Sequence, residues 1–372
     1  MTELDMPVGT PTRRARTPVR SPASLPVRRQ HTFALRRGIW QWSVVVLGAL
    51  VLLALPYLIS TFWLHVTNLA LLAVVGAVAL NLITGNARLV SLGHAAFLGV
   101  GGFTAGLLAQ FYAPPFLLVL LAAAVAGGLL GLVVGIPSLR LRVLYVAVTT
   151  LALHFGVITL LNVVQSVVLD SDGMVLPPPD IGPLVIDTPT SWYYLLLVVA
   201  ALAVLIALNL LRSFVGRRWI AVAEHDVASA ALGVRVIGAK LSVFVVTSAM
   251  TSCAGALAGY YLTTVSFETY SLDLAITYLA MIIVGGIASV LGSVLGAVLI
   301  TFLPYVLDKL LDVFGLGVSL TALAGLHEVL YGGLIVVFLL FEPRGLAEVW
   351  RRLRTAGADW PFRYRAVQRG AK

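Results

Sequence analysis

The residues of this sequence that could do chemistry are few, and what they fail to build is informative. Splitting ATP needs a glycine-rich loop that cradles the phosphates and ends in Gly-Lys followed by Ser or Thr. The lysines are Lys240, Lys309 and Lys372, and they follow Ala239, Asp308 and Ala371. No Gly-Lys pair exists, so any ATPase serving this protein must be a separate chain. A zinc site needs several ligands converging on one point. The histidines stand apart at 31, 65, 94, 154, 225 and 327. His327-Glu328-Val329-Leu330-Tyr331 begins like the helical zinc-protease motif but lacks its second histidine. No catalytic residue, metal ligand or bound cofactor is expected. An ion-coupled carrier tends to bury acidic groups in its spans. Here only Glu328 lies well inside one, and pairing with His327 or a backbone group at a helix seam is the simpler reading.

Two glycine-rich stretches offer a different chemistry. One is Ser91-Leu92-Gly93-His94 followed by Gly99, Gly101, Gly102 and Gly106; the other is Gly285, Gly286, Gly292 and Gly296. Small residues let helices pack closely. They also let helices break, and broken ends can hold a carboxylate or ammonium without a charged side chain. Ser91, Gly93 and His94 are therefore candidates for lining a translocation path, through backbone dipoles and a neutral imidazole. Plain helix packing is the competing reading.

The elements that would position these residues follow from composition. The chain has 372 residues, 60% of them hydrophobic and 11% charged, with a mean hydropathy of +1.00. A soluble domain carries about 25% charged residues, and could not hide this much apolar surface. The single cysteine, Cys253, cannot close an internal disulfide. The fitting solvent is a bilayer. The net charge of +9 sits at the ends: residues 1–39 hold eight arginines against Glu3 and Asp5, and residues 342–372 hold eight Lys or Arg against three acids. Basic groups flanking an apolar body point to membrane topology and anionic headgroups rather than to nucleic acid.

A span needs about 20 apolar residues. Ten runs qualify: 40–60, 66–84, 91–111, 116–136, 143–169, 192–211, 241–262, 275–291, 293–312 and 320–341. The run at 275–291 is short and ends in glycines, so it could be re-entrant. The expected fold is all-α, a polytopic transmembrane helical bundle of about ten spans with both termini in the cytoplasm. Residues 1–39 form a disordered basic tail, 40–341 the membrane domain and 342–372 a second basic tail. With the N-terminus inside, segments 85–90, 137–142, 212–240 and 289–292 are cytoplasmic, and they carry Arg88, Arg140, Arg142, Arg212, Arg217, Arg218, Arg235 and Lys240. The segments placed outside, 61–65, 112–115, 170–191, 263–274 and 313–319, carry no Lys or Arg. This is the positive-inside pattern.

Two connecting segments are long. The external loop 170–191 holds four aspartates and five prolines. The internal loop 212–240 reads as one short exposed helix: Ala221, Ala228, Ala230 and Ala231 favour it, Glu224 and Asp226 near its start suit the helix dipole, and Gly233 stops it. It is either a docking helix or an ordinary amphipathic connector.

Four stretches, in order, carry a resemblance. Asn81-Leu82-Ile83-Thr84-Gly85 through Val90-Ser91-Leu92-Gly93-His94-Ala95-Ala96-Phe97 resembles the early signature of the permease subunits of branched-chain amino acid ABC transporters, in particular the longer, M-type subunit. Leu139-Arg140-Leu141-Arg142 with Leu144-Tyr145 and Thr149-Thr150-Leu151-Ala152 resembles the segment entering that family's fifth span. Glu224-His225-Asp226 with Ala230-Ala231-Leu232-Gly233-Val234 is similar to its cytoplasmic coupling loop. Ile283-Val284-Gly285-Gly286, Leu291-Gly292 and Glu342-Pro343-Arg344-Gly345-Leu346 resemble its C-terminal end. The resemblance implies an H-type sister permease, two ATP-binding cassette subunits that consume the ATP, and an extracytoplasmic substrate-binding protein. It implies a multi-pass protein of the cell membrane that imports aliphatic amino acids by alternating access. It favours docking for 212–240, with Glu224, Asp226, Ala230, Ala231 and Gly233 as the ATPase-coupling residues. Where relatives carry a Thr-Gly-Gly stretch, this chain reads Asp170-Ser171-Asp172-Gly173-Met174. That departure keeps urea or short amides open as substrates, and an ion-coupled secondary carrier remains the rival class.

Overall fold

A computed structural model describes residues 39–112, 114–138, 143–170, 172–181, 184–313 and 345–358, with single positions between 325 and 336. The N-terminal tail, Leu139–Arg142, the His327–Glu328 pair, most of the run 320–341, Glu342–Arg344 and the chain beyond Ala358 lie outside the described residues. Helix α1 (Ile39–Leu58) is predominantly apolar and contains Pro56 near its end. It straddles the boundary between two bodies, the second of which begins at Leu55 and holds every other described element.

That second body is helical. Helix α2 (Thr61–Asn81) continues as a π-helical turn over Leu82–Asn86. Then follow α3 (His94–Phe111), α4 (Phe116–Ser138), α5 (Val143–Val163) with a second π-turn to Val168, α6 (Pro189–Arg212), α7 (Phe214–Glu224) and α8 (Asp226–Ala231). The chain closes with α9 (Val236–Leu262), α10 (Leu272–Gly285), α11 (Val290–Val313) and α12 (Gly345–Ala358). Two-residue strands occur at β1 (Met174–Val175), β2 (Asp180–Ile181), β3 (Leu184–Val185) and β4 (Thr264–Val265). Among the described residues seven helices are long and apolar enough to cross a membrane: α2, α3, α4, α5, α6, α9 and α11. They match seven of the expected spans within about five residues at either end. The run expected at 275–291 is α10, a helix of 14 residues. Its rise of about 21 Å falls short of a bilayer core of about 30 Å. It leaves the segment that holds β4 and ends beside the terminus of α2.

The connecting segments sort to two ends. At one, β1 pairs antiparallel with β4, the Tyr261 hydroxyl lies 2.6 Å from His65 Nδ1, and Asn68 donates to the Pro189 carbonyl. This end carries Asp170, Asp172, Asp187, Glu268 and Asp273. At the other, the Ala288 N–H donates to Asn81 Oδ1 at 2.9 Å, and Gly345 abuts the backbone of Gly286. This end carries Arg88, Arg212, Arg217, Arg218, Arg235 and Lys240. The described start of the C-terminal segment thus sits at the basic end.

Helix α9 is the axis of the body. Gly127 and Gly131 on α4 each lack the side chain that would overlap Ser252 and Ser248 on α9, and Gly101 on α3 makes room for the Ser252 backbone. Close approach allows polar contacts between helices: Ser252 Oγ donates to the Phe97 carbonyl at 2.7 Å. Such seams, each bond worth about 1 kcal/mol, hold membrane helices where no hydrophobic force acts between them. Outward faces of α4, α5 and α6 stay apolar and exposed, as at Leu117, Leu121, Phe155, Leu160, Leu202 and Leu205, which suits lipid contact.

Candidate functional site

The loop expected as one helix over 212–240 is two, and this corrects the reading of its start. Glu224 ends α7 instead of opening the helix, and only Asp226 occupies a first turn. The break falls at His225, which adopts extended backbone. Alanine propensity runs on through this point, so contacts elsewhere must override it. The Ser213 hydroxyl caps α7 by accepting from Gly216 N–H. Trp219 is fully buried and donates from Nε1 to Ser242 Oγ on α9 at 2.9 Å. Ser229 Oγ on α8 reaches back to the Ala221 carbonyl at 2.9 Å. Lys240 on α9 pairs with Asp226 at 2.6 Å. These ties fold α8 back against α7 and leave its other face in solvent. Gly233 ends the turn with φ +81°, a left-handed conformation glycine adopts without strain.

The exposed face is where the coupling candidates lie. Ala230, Ala231 and Gly233 are exposed, and Val227 and Leu232 beside them are each 85% exposed. Two large apolar side chains this open, framed by small residues, leave an unpaired apolar knuckle. Sequence reasoning passed over Val227 and Leu232; the signal was their apolar type in the stretch 224–233, whose other residues are small or polar. Asp226 is held by Lys240, so it serves the knuckle's shape more than its contact surface. Glu224 opens instead onto a cavity of about 160 Å³ shared with Arg88, Trp219, Asp226, Ala239 and Lys240. Arg88 reaches it from a left-handed conformation, φ +54°.

The path candidates lie deeper. Ser91 and His94 are buried and line a small cavity together with Thr247, Ser248 and Thr251 of α9. Thr251 Oγ1 lies 3.5 Å from His94 Nδ1. His94 Nε2 and Ser248 Oγ are buried without a hydrogen-bond partner among the described residues. Gly93 is not part of this lining. It packs against the Thr150 carbonyl of α5, where a side chain would crowd to 2.9 Å, and the next helix is tied there by Leu92 N–H donating to Thr150 Oγ1. The other glycines divide as the two readings allowed. Gly285 and Gly296 pack α10 against α11, whereas Gly286, at φ +117°, makes the turn between them.

A third cavity, of about 280 Å³, lies on the acidic-end side of His94. Its floor is Tyr278, whose ring centre stands 4.7 Å from that of His94. The three cavities follow one another along α2 and α9: Ala73 and Ala258 line the first, Ile83 and Thr251 the second, Leu89 and Val243 the third. At the acidic-end margin, burial and then the neighbouring Tyr278 push the Tyr270 phenol above its ordinary range, so it stays protonated and able to donate.

Comparison with known proteins gives this arrangement its family. The model of the branched-chain amino acid transport system / permease component family matches residues 62–339. The high-affinity branched-chain amino acid transport system permease protein LivM of Escherichia coli is 27% identical over 336 residues, covering 82% of this chain and 75% of that one. LivM of Salmonella typhimurium is 26% identical over 327 residues, covering 80% and 73%. A probable branched-chain amino acid transport permease protein LivM of Methanocaldococcus jannaschii is 26% identical over 237 residues, covering 61% and 68%. No solved structure matches the chain. With a family match across most of its length and a body of apolar membrane-length helices, the chain belongs to the branched-chain amino acid transport permease family.

Proposed function

We propose that this chain is the M-type membrane subunit of an ATP-driven importer of aliphatic amino acids. It pairs with an H-type sister in the cell membrane, two ATP-binding cassette subunits dock at the basic end, and an extracytoplasmic binding protein delivers substrate at the acidic end. The basic end faces the cytoplasm by the positive-inside rule. Counting α1, α10 and the run 320–341 with the seven long helices gives ten crossings and both termini inside. The observation that carries the reading is the apolar knuckle on α8, Val227 and Leu232 flanked by Ala230, Ala231 and Gly233, standing open in a chain with no phosphate loop of its own. ATP closure of the partner subunits pulls the α7–α8 hairpins together. Trp219 and the Lys240–Asp226 pair pass that motion to α9, and the bundle exchanges inward-open for outward-open access.

The test is Ala231→Trp in the assembled transporter. A bulky ring on the docking face is expected to abolish ATP-driven leucine uptake while membrane insertion stays intact. Unchanged uptake removes the coupling assignment. Leucine uptake that continues on an ion gradient after ATP depletion points instead to an ion-coupled carrier.

A further inference from the structure

The 280 Å³ cavity between α2, α3, α9, α10 and α11 has a composition that asks for a particular ligand. Leu72, Leu98, Met281 and Ile300 form apolar walls, and among the described residues no Lys, Arg, Asp or Glu lines it. Around the same space stand three hydroxyls without a hydrogen-bond partner among the described residues. Tyr270 and Tyr278 are both more than nine-tenths buried. Their rings fit because Gly76 and Gly102 carry no side chain: a Cβ on Gly76 would run into Tyr278, and one on Gly102 into the Tyr270 hydroxyl. The third is Thr301, whose Oγ1 is fully buried and unpaired. A buried hydroxyl left unsatisfied costs about 1–3 kcal/mol, so Thr301 marks a place where a polar partner is expected, with the Tyr270 and Tyr278 hydroxyls beside it. Helix α10 begins at the same cavity. Its N-cap, Ser271, makes no side-chain capping bond, and Leu274 of its first turn lines the space. The N–H groups and positive dipole end of a helix suit a carboxylate; Asp273 in the same turn is exposed and outside the cavity lining.

We infer that this cavity seats a single aliphatic amino acid within this subunit, its side chain against the apolar walls and its ammonium and carboxylate against the hydroxyls and the start of α10. The inference rests on the proposed importer reading and adds to it where the substrate rests. The apolar walls add little for urea or a short amide, whose surface is mostly polar, whereas leucine or valine loses water along its whole side chain. The absence of charged side chains fits a zwitterion, which dipoles and hydroxyls can hold without a buried counter-ion. Tyr278 packed on His94 closes the site toward the basic end, and passage requires that pair to part.

The test uses the complete transporter, with sister permease, ATPases and binding protein, in proteoliposomes supplied with leucine, valine or alanine. Ala258→Phe places a ring in the cavity from its partly buried α9 wall. Leucine uptake is expected to fall at least about tenfold further than alanine uptake, the usual scale for pocket size discrimination. Thr301→Val keeps the shape and removes the hydroxyl, and is expected to lower uptake of all three by about tenfold without changing their order. Should Ala258→Phe fail to assemble, Ala258→Cys in a Cys253→Ser background is labelled with a methanethiosulfonate reagent, and leucine, but not urea, is expected to slow the labelling. Wild-type rates and preferences in both variants, or labelling indifferent to leucine, overturn the cavity assignment while leaving the importer reading in place. A wild-type complex that moves urea and no aliphatic amino acid overturns that reading and this one together.

Discussion

The two ends of the helical body are finished in opposite ways. At the acidic end the β1–β4 ladder lies over the helices and drives side chains down between them. Met174 sits against Gly106 of α3, Val265 against Gly259 of α9, and both are nearly inaccessible. At the basic end the α7–α8 hairpin turns only one face inward, through Trp219, Val222 and Ser229, and leaves Val227 and Leu232 in the open. Neither end covers all its apolar residues, and Val175 of β1 stands open; they differ in that the ladder drives Met174 and Val265 into the bundle, whereas the tip of the hairpin presents Val227 and Leu232 outward. A surface covered from within stabilises the fold. A surface left bare at one end of a membrane protein is finished by a partner, and a partner that grips it can move it.

The largest effect that sharpens this contrast is expected at the closed end. Met174→Ala removes a buried side chain beneath the ladder and should cost about 2–4 kcal/mol of stability. Thermal unfolding of the solubilised protein checks it, and a negligible change means the ladder is not a packed cover. Next is the open end. Leu232→Asp should weaken binding of the ATPase subunits by about 2 kcal/mol, near 30-fold, as loss of an interface anchor does, with the thermal midpoint of the chain unmoved. If stability falls as much as affinity, the knuckle is part of the core and the contrast fails. A smaller effect separates anchor from surface. Ser242→Ala keeps the buried Trp219 ring and removes the bond it makes, costing about 1 kcal/mol; local hydrogen exchange in α7 should rise while α9 stays protected. The smallest concerns Lys240 and Asp226, whose side chains remain partly exposed. A double-mutant cycle with Lys240→Met and Asp226→Asn should give a coupling of about 0.5 kcal/mol that shrinks with added salt.

Much of this was legible in the sequence, for physical reasons that particular residues show. Span positions follow from length and apolarity alone, and α4 and α11 were located to within two and three residues. The end bearing Arg217, Arg218 and Lys240 was legible because charge segregation follows membrane topology. The break at His225 was not, since Ala221, Ala228 and Ala230 favour one continuous helix. It is made by Ser229 reaching Ala221 and by Lys240 reaching Asp226, contacts between residues on different helices, the second of which exists only once α9 is in place. The β1–β4 pairing was hidden because two residues of strand carry no periodicity. For Gly285 and Gly286, adjacent and alike in sequence, only the fold decides that one packs and the other turns. Ser91 and His94 stood out as polar residues beside glycines and do share a cavity. Tyr278 and Thr301 did not, because a lone hydroxyl in an apolar helix looks like any other half-buried residue until its missing partner is seen.

The central claim is that this chain is a conduit powered by another molecule at its basic end. Leucine accumulation should therefore be measured in two sets of proteoliposomes, one holding the chain with its sister permease, ATPases and binding protein, the other holding the chain alone, each given ATP inside or an imposed ion gradient. The account predicts accumulation in the complete complex with ATP and none by the chain alone under either condition. Leucine accumulated, or ATP split, by the isolated chain would contradict it.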